Sequence, residues 1–155
     1  MHLDNDTFRT VVASTPLVSI DLIVKNTKGQ VLLGMRNNRP AQSMWFVPGG
    51  RILKNERIST AFKRLVKNEL NADADISDAQ YLGLYDHLYP DSIWGDSVTT
   101  HYVVNAFEMQ RVFDSSALPS DQHTEYAWFD IETLLSAANV HDHTKWYFTE
   151  EKGYS

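Results

Sequence analysis

The stretch from Met44 to Leu70 constrains the chain most. An apolar, strand-like run from Met44 to Val47 stops at Pro48, Gly49, Gly50 and Arg51 follow, and a helical pattern covers Arg57 to Leu70. Proline cannot continue a sheet ladder, and paired glycines let the backbone turn and approach a ligand closely. In the helix, Ile58, Phe62 and Leu65 fall at i, i+4 and i+7, the spacing of an apolar stripe. At about 100° per residue the same stripe reaches Glu69, one turn beyond Leu65. An unpaired buried charge is very costly, so a carboxylate on the core face needs a cation or hydrogen-bond donors. A bound metal is one partner, and Arg64 or a neighbouring lysine is the other. A strand, a glycine turn and a helix with one inward carboxylate are the parts of a diphosphate site that uses a metal.

A chain of 155 residues with 43% apolar content suits one domain, residues 1–155, around one core. It has no cysteine, which excludes disulfides and thiolate zinc sites and suits the cytoplasm. The first residues, Met1 to Asp6, have neither the basic segment nor the apolar core of a signal peptide. Asp21 interrupts the best apolar run, Leu17 to Val24, so no segment is expected to span a membrane. A net charge of -6 argues against nucleic acid as a partner. Within this acidic chain Arg36, Arg39, Arg51, Lys54, Arg57, Lys63, Arg64 and Lys67 are concentrated in one window. Such a window either binds a small anion or forms a solvated helix face and loop.

Asp4 or Asn5 is placed to cap a short helix bearing Phe8, Val11 and Val12, ended by Pro16. Strands are expected over Leu17–Lys25 and Gln30–Arg36 around a turn at Asn26–Gly29, then over Trp45–Val47, Gln80–His87, Val98–Phe107 and Tyr126–Phe129. Polar loops are expected at 37–43, 71–77, 88–97 and 118–124, the third rich in aromatics. Asp130 is placed to cap a helix through Leu135, and a last helix is expected from Asp142 to Lys152. The order implies an α/β (α+β) domain with a mixed sheet between helices.

The glycine turn and its helix resemble the Nudix family, whose box reads G-x5-E-x7-R-E-U-x-E-E-x-G-U with U a bulky apolar residue. Gly50, Glu56, Arg64, Val66 and Glu69 match it, Ala72 matches weakly, and Leu65, Asn68 and Asn71 depart from it. Two box carboxylates are thereby lost, which means fewer metal ligands and no box glutamate left to serve as base. This altered box is similar to that of the GDP-mannose mannosyl hydrolase branch. The resemblance extends to Ser14–Ser19, Asn38–Gln42, Trp45–Arg51, Thr99–Val104 and Asp121–His123, from about Phe8 to Glu151.

The resemblance implies an α/β/α sandwich and an enzyme that hydrolyses GDP-mannose or GDP-glucose at the anomeric carbon with inversion. One Mg²⁺ per site, replaceable by Mn²⁺, would rest on the Gly49 carbonyl, Glu69 and Gln122; oxygen ligands suit such a hard cation. His123 would be the general base, and an imidazole is substantially free base at neutral pH. Arg36 and Arg51 would meet the diphosphate, Tyr102 would donate to a phosphate, and Asp21 and His87 would hold the sugar or a catalytic group. Arg64 would orient Glu69, and Glu56 would have a structural role. A homodimer is implied too, with the 88–97 loop as lid or interface. Read without the resemblance, His123 is a solvent-facing loop residue, Gln122 an exposed amide, His87 a packed side chain and Tyr102 a core tyrosine. Two rivals remain: a pyrophosphohydrolase cutting between phosphates, and an inactive nucleotide-sugar sensor.

Overall fold

The computed structural model describes residues 2–110, 123–151 and 153–154, with residues 123 and 124 described by their backbone alone. Helix α1 (Asn5–Ser14) precedes strands β1 (Leu17–Lys25), β2 (Val31–Arg36), β3 (Trp45–Phe46) and β4 (Gly49–Arg51). Helix α2 (Ile58–Leu70), β5 (Gln80–Tyr89), β6 (Thr100–Gln110) and β7 (His123–Phe129) follow, then α3 (Ile131–Ser136) and α4 (Asp142–Lys145). One seven-stranded sheet runs in the order β3-β2-β1-β6-β5, with β4 added to β1 and β7 to β2. Strands β1 and β6 are parallel, and the other pairs are antiparallel. This is the expected mixed sheet between helices.

Alternation along β1 sorts the layers, because successive side chains in a strand point to opposite faces. Ile20, Leu22 and Val24 pack against Phe62, Leu65, Val66 and Leu70 of α2. Ile23 faces the other way, onto Val31, Leu33, Trp45, Leu134 and Val140 under α3 and the C-terminal segment. Asp21 shares the parity of Ile23, so the one charged residue of the run belongs to the C-terminal layer.

The structure corrects several expectations. Gly49 and Gly50 do not turn; they are extended, and Gly49 pairs with Asp21 and Gly50 with Ile20. Their lack of side chains is still required. A Cβ on Gly49 would lie 2.4 Å from the Ile20 carbonyl oxygen and 2.5 Å from Asp21 Oδ1, and one on Gly50 would lie 2.5 Å from Leu65 Cδ2. Ile58 leaves the buried stripe of α2 and is 50% exposed, whereas Ala61, Phe62, Leu65, Val66, Glu69 and Leu70 form the buried face. Leu88 and Tyr89 complete β5 rather than opening the next loop, and β6 starts at Thr100 rather than Val98. Strand β7 begins at His123, three residues before Tyr126, because it pairs along β2 as far as Arg36. The last helix shortens to α4 and a single 3-10 turn, Trp146–Phe148.

Candidate active site

The strand parity that turns Asp21 towards the C-terminal layer also turns His87 of β5 and Tyr102 of β6 the same way. Strand β6 adjoins β1 in the sheet, and β5 adjoins β6, where His87 is opposite Tyr102. These three residues, with Ser19, Arg36, Pro40, Phe46, Val47, Gly49, Gly50, Tyr89 and Val104, line a cavity of about 130 Å³. Arg36 arrives where the β2–β7 register shifts between Gly34 and Arg36, a kind of irregularity that re-aims side chains. Its guanidinium lies 5.6 Å from the centre of the Phe46 ring, and its Nε donates to the Pro40 carbonyl at 3.1 Å. A planar cation is thus held by a ring face and a backbone oxygen at the cavity wall.

A second cleft adjoins the first and shares Gly50 and Tyr102 with it. It is lined as well by Phe8, Arg51, Leu53, Arg64, Leu65, Asn68 and Glu69. Arg51 is supported here by Phe8, whose ring centre lies 4.8 Å from its guanidinium carbon. Glu69 is buried, 5% exposed, on the face of α2 turned to β4. The Arg64 fork closes on Glu56, and the Glu69 charge also acts on it. It donates from Nε to Glu56 Oε2 at 2.7 Å and from Nη2 to Glu56 Oε1 and the Arg51 carbonyl, both at 2.9 Å. Glu56 Oε1 also accepts from the Leu53 amide at 3.0 Å, and the Arg64 bonds hold its carboxyl below the usual range. The Glu56–Arg64 pair is therefore a brace across the loop between β4 and α2, and Glu69 lines the cleft.

Asp21 finds its partner in a residue that the sequence did not single out. The Tyr147 hydroxyl donates to Asp21 Oδ2 at 2.5 Å and lies 3.3 Å from His87 Nε2. Burial pushes the Asp21 carboxyl up to about 7, against the Tyr147 hydrogen bond and the Arg36 charge, which both pull it down. Burial also holds His87 down to about 2, with His143 and His141 adding to the effect, and holds His143 down to about 3. These imidazoles are neutral wherever the protein is folded near neutral pH. His87 is 3% exposed and stacks on His143 with ring centres 4.4 Å apart. Burial raises the Tyr102 hydroxyl as well, so it stays a donor.

The structure brings Asp21, Arg36, His87, Tyr102 and Gly49 to the first cavity, and Arg51 and Glu69 to the second cleft. His123 is opposite Arg36 in the β2–β7 ladder. Its side chain, and all of Gln122, lie outside the described residues. The basic window does not act as one face. Arg39 binds Asp91 at 2.6 Å and also pairs with Asp96, and Lys63 lies 3.7 Å from Asp75. The sequence missed Phe8, Phe46, His143 and Tyr147. The one available signal was Asp21 itself, since a charge in an apolar strand requires a partner.

Among the described residues, no group of three or more histidine, aspartate or glutamate side chains is arranged to hold a metal. A backbone carbonyl at Gly49 and one buried carboxylate at Glu69 nonetheless suit a hard cation that takes its remaining ligands from water and phosphate. No helix among the described residues is long and apolar enough to cross a membrane.

Comparison with known proteins agrees with this architecture. A family model described as NUDIX domain matches residues 15–150. The low-salt glycan biosynthesis protein Agl8 of Haloferax volcanii is 38% identical over 130 residues, covering 83% of this chain and 80% of Agl8. Among solved structures, the MutT protein of Methanosarcina mazei Go1 superposes with a TM-score of 0.69 at 21% identity, over 87% of this chain and 92% of that one. The NUDIX domain of Shewanella oneidensis NrtR, complexed with ADP ribose, superposes with a TM-score of 0.65 at 16% identity, over 95% and 90%. The sheet, the α2 brace and the extent of the family match agree, and the chain belongs to the Nudix hydrolase family.

Proposed function

We propose that this Nudix hydrolase cleaves GDP-mannose or a related GDP-hexose at the anomeric carbon, giving GDP and the free sugar with inversion. One observation carries the proposal. Two clefts meet at Gly50 and Tyr102, one lined by Asp21 and His87, the other by Arg51 and Glu69. A polar pocket with Arg36 at its wall, joined to a cleft bearing Arg51, matches the hexose–diphosphate part of such a ligand. The curated relative is named for glycan biosynthesis, where nucleotide sugars are used, which supports the same substrate class.

Asp21 and His87 then orient the hexose, and Arg36 and Arg51 pair with diphosphate oxygens through their guanidinium forks. Tyr102, at the junction, donates to the bridging end of the diphosphate. Gly49, Glu69 and Gln122 would hold Mg²⁺, which when bound would neutralise charge on the leaving diphosphate. His123 takes a proton from the attacking water. The water oxygen bonds to the anomeric carbon, the bond from that carbon to phosphate oxygen breaks, and its electron pair leaves with GDP. Loss of the box carboxylates at Leu65 and Asn68 fits a base supplied from elsewhere than α2.

Hydrolysis of GDP-mannose in water labelled with ¹⁸O tests the bond that is cut. Label in the released hexose supports attack at carbon. Label in a phosphate product would instead assign the chain to pyrophosphate cleavage, and tight binding without turnover in Mg²⁺ would make it a sensor.

A further inference from the structure

We propose that Tyr147 is a positioning residue for the sugar-side cavity, its hydroxyl joining the Asp21 carboxylate and the His87 imidazole into one fixed unit. The inference rests on the hexose substrate proposed above and adds a residue that does not line that cavity. Tyr147 Oη carries one proton. Above pH about 7, where Asp21 is ionised and its oxygens only accept, the proton 2.5 Å from Asp21 Oδ2 belongs to the bond with the carboxylate. The 3.3 Å contact to His87 Nε2 must then run the other way, from an Nε2–H to the hydroxyl oxygen. A neutral imidazole has one N–H, so the contact fixes the tautomer of His87 and leaves Nδ1 as acceptor. The ring itself is clamped by His143 stacked at 4.4 Å and by Trp146 with ring centres 5.9 Å apart. The second Asp21 oxygen, Oδ1, lies over Gly49, where any side chain would displace it.

The hydroxyl can be placed this closely because the segment that bears it is tied down. The Trp45 amide donates to the Asn139 carbonyl at 2.8 Å, and the His141 amide donates to the Trp45 carbonyl at 3.2 Å. The Val47 amide donates to Thr144 Oγ1 at 3.4 Å. The Tyr147 ring meets Tyr85 edge-on, with centres 4.7 Å apart. Strand β3 therefore sets the position of a side chain about a hundred residues later in the chain, and that side chain sets two groups in the cavity.

Tyr147→Phe keeps the ring against Tyr85 and removes the hydroxyl. Turnover of GDP-mannose should fall roughly 10- to 100-fold in kcat/KM, the loss expected for a hydrogen bond to a charged group. Affinity for GDP, which has no hexose, should stay at the wild-type value. Two-dimensional ¹H–¹⁵N spectra of the histidine rings, recorded at pH about 8 or above so that Asp21 is ionised, should show His87 protonated on Nε2 in the wild type and redistributed in the variant. Hexose turnover within about twofold of wild type would overturn the proposal, as would a parallel loss of GDP affinity. Should the variant not fold, the wild-type ring spectrum decides, and a His87 proton on Nδ1 refutes the bond. Failure of the wild type to release hexose would instead remove the substrate proposal, and the ring spectrum would still test Tyr147.

Discussion

Asp21 was legible as a problem and not as a solution. A carboxylate within Leu17–Val24 must be paired, but nothing near it in sequence could do so, and its partner Tyr147 lies 126 residues away. Glu69 was legible in the same manner, and α2 does bury it. The main partner of Arg64 was not legible, because Glu56 lies in the loop before α2 and only the fold of that loop brings it within 2.7 Å, while the Glu69 charge also acts on the guanidinium. The role proposed for His123 can be measured directly. His123→Ala should lower kcat by roughly 10²- to 10⁴-fold with little change in KM, because a base acts in the transition state. Steady-state kinetics with GDP-mannose checks this, and kcat near wild type would show that the base lies elsewhere.

At the level of elements, β4 and the C-terminal segment are the parts whose behaviour follows most directly from packing. Gly49 is extended against β1, with 2.4 Å between a hypothetical Cβ and the Ile20 carbonyl oxygen. Gly49→Ala should therefore cost about 1–3 kcal/mol, as overpacking does, and push β4 away from Asp21. Urea unfolding of the variant would show the loss in midpoint, and an unchanged midpoint would mean that β4 yields easily. The C-terminal segment carries His143, held down to about 3 against an ordinary value of 6.5. The folded state then binds fewer protons than the unfolded one between those limits. Its contribution to stability is present above pH 6.5 and is lost as pH falls, by at most ~1.4 kcal/mol per pH unit. His87 acts in the same sense, and Asp21, raised to about 7, acts oppositely. The difference between proteins isolates one group. His143→Gln should flatten the acid-side fall of Tm between pH 6.5 and 4 relative to wild type, and parallel Tm curves for the two proteins would exclude His143 as the source.

For the whole molecule, two clefts joined at Gly50 and Tyr102 predict that nucleotide and cation bind together. GDP with Mg²⁺ should raise Tm more than GDP with a chelator, since a ligand that binds only the folded state stabilises it by mass action. Glu69→Gln should remove the cation-dependent part of that shift and keep the rest, and a shift in the variant equal to wild type would take Glu69 out of the ligand set. The sequence by itself determined the mixed sheet, the Gly-Gly segment with its α2 helix, the burial of Glu69 and the need to pair Asp21, because periodicity, glycine placement and a charge in an apolar run are local signals; Arg36, Arg51, His87 and Tyr102 were reached through the family resemblance. Tertiary structure alone decided that the Gly-Gly pair is strand rather than turn, that Arg64 braces Glu56, and that Tyr147 completes Asp21. The first and the last depend on a partner from a distant segment, and whether the two meet is settled only when the sheet and both helical layers close on one another; the second depends on the path of the loop between β4 and α2.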